Sequence, residues 1–140
     1  MLWFDTFNTK SEIVAAIDAI GYSGSGTETG KALEYTANYV LNPMYGARAG
    51  VPSITLVITD GESTDDLTES SQLLRARSNV IAIGISKDAN PAQLAQMASS
   101  PLSLGIHALS DFADLLAVSD SLMDSLCTLR YISELKHFHS

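Results

Sequence analysis

The chain has 140 residues, of which 46% are apolar, 17% charged and 7% aromatic, with a formal net charge of −8. This length suits one compact domain, the apolar share excludes a disordered chain, and no apolar run reaches the ~20 residues of a bilayer span. An isoelectric point near 4.6 argues against a nucleic-acid partner, and the opening Met1-Leu2-Trp3-Phe4-Asp5 lacks the basic lead and apolar middle of a secretory signal.

The hydrophobic period alternates between helical and strand-like regimes. Thr9 to Ile20 reads as a helix: Thr9 and Glu12 form a capping box, Ile13, Ile17 and Ile20 share one face, and Gly21 ends it. A small-residue loop from Ser23 to Gly30 leads into a second helix reaching about Leu41, with Ala32, Leu33, Thr36, Ala37 and Val40 inward, and Asn42-Pro43 stops it. After a loop containing Arg48, to which no role is assigned, the run Ile54 to Thr59 is the clearest strand. Its β-branched composition suits burial on both faces of a parallel sheet.

Asp60-Gly61 halts that strand. A helix from about Asp65 to Arg77 then turns Leu67, Leu73 and Leu74 inward, and Val80 to Ile85 forms a second buried strand. Asn90 followed by Pro91 starts a short helix to Ala98. Leu104 to Ala108 reads as a third strand, and Ser110 caps a last helix with Phe112, Leu115, Ser119, Leu122 and Leu126 in one stripe. Tyr131 to Ser140 shows no period and is expected to fray. Strands alternating with helices indicate parallel βαβ units in a doubly wound sheet.

Two enzymatic readings fail on single residues. Around Gly30-Lys31, a Walker loop requires glycine where Ser25 stands and a hydroxyl where Ala32 stands. The dinucleotide fingerprint follows a strand, whereas this loop follows a helix. In Ile58-Thr59-Asp60-Gly61, a phosphatase of the haloacid dehalogenase type would need its attacking aspartate at Ile58. No nucleophile–base pair emerges, and no enzyme is expected.

A third reading joins Thr27 and Asp60. Asp60 stands at the carboxyl end of a buried strand, where open parallel sheets place ligands, and a carboxylate with a hydroxyl suits magnesium or calcium. The competing reading makes both residues helix caps. Glu62, Asp65 and Asp66 lie close by as acids at the start of the following helix.

The segment Ala16 to Leu33, the loop Gly46 to Pro52, the strand end Thr59-Asp60-Gly61, Ile81 to Ile85, Ala98-Ser99-Ser100-Pro101 and Asp111 to Leu115 follow in an order that resembles a von Willebrand factor type A domain of the collagen- and matrilin-like kind. The resemblance implies a doubly wound, mostly parallel sheet with helices on both faces, here a partial domain over residues 1–128 with an irregular tail over 129–140. It also implies a non-catalytic adhesion module of the extracellular matrix or cell surface. In the family, a divalent cation (Mg2+, Mn2+ or Ca2+) is held by an Asp-x-Ser-x-Ser element, a loop threonine and an aspartate before glycine, and it bridges to an acidic residue of the ligand. Thr27 and Asp60 match the second and third elements; the first has no counterpart before Thr27.

On this pattern the chain opens where the family's third strand ends, at Leu2-Trp3-Phe4, so a strand, a helix and a second strand, about 40 residues, are expected to be missing. This chain alone is therefore expected to hold no cation tightly, and its bare sheet edge is expected to favour self-association. Collagens, other matrix proteins or cell-surface receptors are the implied partners, with no membrane insertion. Metal-independent association through loops or sheet edges is the alternative. Cys127 stands either as half of a disulfide known in extracellular relatives or as a small apolar residue at a helix end. His107 reads as structural, and His137 with His139 as part of a polar tail.

Overall fold

A computed structural model describes residues 6–21, 24 and 26–137, the last nine of these by backbone path alone. The proposed strand end at Leu2, Trp3 and Phe4, the loop residues Ser23 and Ser25, and the His137 and His139 side chains lie outside the described residues.

Among the described residues the architecture is a three-stranded parallel sheet in the order β1-β2-β3, with β1 at Ile54–Thr59, β2 at Asn79–Ile85 and β3 at Ile106–Leu109. The helices are α1 (Lys10–Asp18), α2 (Thr29–Tyr35), α3 (Thr68–Arg75), α4 (Pro91–Met97), α5 (Leu102–Gly105), α6 (Asp114–Ala117) and α7 (Ser119–His137). Helix α2 continues as a π-helical turn over Thr36–Val40, where the Arg77 guanidinium donates to the Ala37 carbonyl at 2.6 Å.

Residues paired across a sheet share a face, so the register assigns the core. Val57 faces with Ala82 and Ile106, and Leu56 and Ile58 face with Ile81 and Ile83. The first face carries Val80 and Ala82 under Leu33, Ala37, Leu74, Leu94 and Met97, from α2, the π turn, α3 and α4. The second presents Ile81, Ile83 and Ile85 to Leu115 of α6 and to Leu122 and Leu126 of α7. Helices thus cover both faces of β2, which is buried throughout except at Asn79.

Three expectations are corrected. First, β1 is not covered on both faces: Leu56 and Ile58 are 44% and 47% exposed because α7 reaches across β2 and β3 but stops short of β1. Helix α1 buries no residue although its capping box forms as read, with Thr9 Oγ1 accepting from the Glu12 N–H at 3.3 Å and Glu12 Oε2 from the Thr9 N–H at 3.0 Å. Its Ile13, Ile17 and Ile20 face outward.

Second, Phe112 is exposed and Ala32 lies on the outer side of α2. The last helical region is divided into α6 and α7 and begins at Asp114, two residues after Phe112, which leaves Phe112 outside the helix. The donors before α6 are met by Asp111 and Asp114 carboxylates rather than by Ser110, whose own N–H donates to Asp114. Third, residues 129–137 are helical instead of irregular. No glycine or proline follows Gly105, so nothing in this stretch terminates a helix, whatever its lack of apolar period.

Helix α4 starts as read, with Asn90 Oδ1 accepting from the Ala92 and Gln93 N–H groups. It packs so close to β2 that a side-chain carbon at Gly84 would lie 2.6 Å from Leu94 Cδ1 and 2.9 Å from Ala89 Cβ. Gly84→Ala should therefore lower stability by about 1–3 kcal/mol through overpacking. Gly21→Ala, which meets nothing within 4 Å, should change it by no more than about 0.5 kcal/mol. Urea unfolding midpoints of the two variants check this.

Candidate functional site

The three parallel strands end together, and the connections leaving them build one rim. At the end of β1, Thr59 Oγ1 donates to the Gly61 carbonyl at 3.0 Å and accepts from the Gly61 N–H at 3.3 Å, which folds the chain sharply after Asp60. Ser86, just past β2 and at φ +73°, donates from its hydroxyl to the Asp60 carbonyl at 3.3 Å, while its N–H reaches the Leu109 carbonyl of β3. Asp60 is exposed on this rim.

The glycine loop comes to the same place through contacts with residues 63–65. The Thr27 carbonyl accepts from both the Thr64 N–H, at 2.9 Å, and the Thr64 hydroxyl, at 3.0 Å. Ser63 Oγ accepts from the Thr29 N–H at 3.0 Å, and the Asp65 carboxylate accepts from the Gly30 and Lys31 N–H groups, both at 2.9 Å. Ser63 Oγ also donates to Asp65 Oδ1 at 2.5 Å. The first turn of α2 is thus capped from another part of the chain, which accounts for the absence of a side-chain cap at Glu28. Gly30 is required by this approach: a side-chain carbon there would lie 2.6 Å from the Asp66 carbonyl.

From the other side, Gln93 of α4 clamps the same loop. Its Oε1 accepts from the Ser63 N–H at 2.8 Å and its Nε2 donates to the Ser63 carbonyl at 3.2 Å. With both anchors in place, Thr27 lies against the turn that follows Asp60: a side-chain carbon at Gly61 would lie 3.8 Å from Thr27 Oγ1. Thr27 and Asp60 come from segments 33 positions apart, and the turns that carry them stand on one rim. The capping roles that competed for them are filled by others, Ser63 and Asp65 at α2 and Asp66 at α3, where Asp66 Oδ1 accepts from the Thr68 N–H and hydroxyl.

The neighbouring acids have their own partners. Glu62 Oε1 accepts from Asn90 Nδ2 at 2.8 Å, and Asp65, read in the sequence as an acid of the following helix, instead serves α2. Burial pushes the Asp65 carboxyl up, but hydrogen bonds from Ser63, Gly30 and Lys31 outweigh it and hold the group below its ordinary range. Among the described residues no three His, Cys, Asp or Glu side chains gather where they could hold a metal ion. Thr27 and Asp60 supply two oxygen donors where magnesium or calcium takes six or more, so the residues present do not complete a cation site.

A doubly wound α/β domain with its loop donors gathered at the carboxyl ends of parallel strands defines a class of ligand-binding modules. The profile of the von Willebrand factor type A domain matches residues 3–121, and the chain belongs to that family. It is 40% identical over 127 residues to cuticlin-6 of Caenorhabditis elegans, covering 89% of this chain and 21% of that protein. It is 32% identical over 124 residues to the human collagen alpha-1(XX) chain, covering 88% of this chain and 10% of that one. Among solved structures it resembles proximal thread matrix protein 1 (PTMP1) from the mussel byssus, one form of which has a zinc-occupied MIDAS motif. The TM-score is 0.82 at 24% identity, over 89% of this chain and 32% of PTMP1. The chain therefore spans a third or less of each of these proteins.

Ser63, Asp65 and Gln93 are the positioning residues that reading the sequence missed. Serine two residues before aspartate was visible, but the backbone donors it serves lie more than 30 positions away. Asp65→Ala should cost about 1–2 kcal/mol by leaving three donors without their acceptor. Because the folded carboxyl titrates below the ordinary aspartate value, its stabilisation is complete above that value and is lost as pH falls through the folded one. Thermal unfolding from pH 6 down to pH 2 (about the range of ordinary carboxyl titration) should show a shallower acid slope in Asp65→Asn than in the parent chain.

Proposed function

We propose that this chain is a non-catalytic protein-interaction module, over residues 1–128, of a protein of the extracellular matrix or cell surface. Membership of the von Willebrand factor type A family and kinship with a collagen support this reading. No described helix is long and apolar enough to cross a membrane. The observation that carries it is the approach of Thr27 to the turn after Asp60 on the rim of a parallel sheet, and in sequence both residues resemble elements of the family's cation site.

In a complete site the cation would supply a Lewis-acidic centre able to take an acidic side chain of a partner protein. Here Thr27 would contribute its hydroxyl and Asp60 its carboxylate, with Asp65 and Gln93 holding their loops in register. Without the Asp-x-Ser-x-Ser element the chain by itself holds divalent cations weakly or not at all. A second reading, association without metal through loops or the sheet edge, draws support from the half-bare face of β1.

Two measurements test these readings. Calorimetric titration of the chain with Mg2+ and Mn2+ should detect no micromolar binding; micromolar affinity would refute the incomplete-site reading. In a longer polypeptide containing this domain and an Asp-x-Ser-x-Ser element, Asp60→Ala should abolish EDTA-sensitive binding to matrix proteins such as collagens. Unchanged binding there would favour the metal-independent mode.

A further inference from the structure

We draw no further inference here: the strongest candidate, the groove between α2 and α3 lined by Glu34, Asp65, Asp66 and Glu69, is a cluster of acidic side chains beside Leu73, and nothing in the structure shows what covers it.

Discussion

The site depends on one tertiary cap. A helix N-terminus exposes backbone donors that need acceptors, and α2 takes them from Ser63 and Asp65 rather than from its own leading residues. This places the glycine loop against the turn after β1 with little freedom to drift. Burial opposes the Asp65 charge most strongly, but the hydrogen bonds from Ser63 and from the first-turn N–H groups of Gly30 and Lys31 together outweigh it. Gln93 adds a two-point grip on the Ser63 backbone from α4. Thr27 and Asp60 join this scaffold through their backbone carbonyls, which accept from Thr64 and Ser86, and this leaves their side chains to meet a ligand.

The same carboxylates explain why acid residues near a rim do not amount to a metal centre. Glu62 binds Asn90, Asp65 serves α2 and Asp66 starts α3. Each has a structural partner, so the donors left at the rim are those contributed by Thr27 and Asp60. Hard cations are selected by the number of converging oxygens more than by local acidity. An acidic composition is therefore no substitute for the Asp-x-Ser-x-Ser element.

The core is complete on one side of the sheet and only partly covered on the other. Helices α2, α3 and α4 roof β1 and β2, with Gly84 admitting α4 to close contact. On the opposite face α7 covers β2 and β3, and the aliphatic rows continue uncovered onto β1. Parallel sheets are ordinarily covered on both faces, so the half-exposed Leu56 and Ile58 of β1 depart from that pattern, and the isoleucines of α1 are exposed as well.

Local chemistry determined much of this from the residues alone. The capping box at Thr9 and Glu12, the Asn90-Pro91 helix start and the Ile54–Thr59 strand depend on neighbours a few positions apart, and the alternation of periods implied the parallel α/β fold. The place of Asp60 on the rim was also legible, because parallel strands bring their carboxyl-end loops to one side of the sheet. Other features were decided only in three dimensions. Asp65 reads like any first-turn acid until α2 is folded beside it, Leu56 and Ile58 read as core until the reach of α7 is known, and the stretch after Leu129 has no apolar period yet continues a helix that nothing interrupts. Spacing reveals what a residue does for its own element, whereas long-range acceptors and burial depend on which elements arrive next to it.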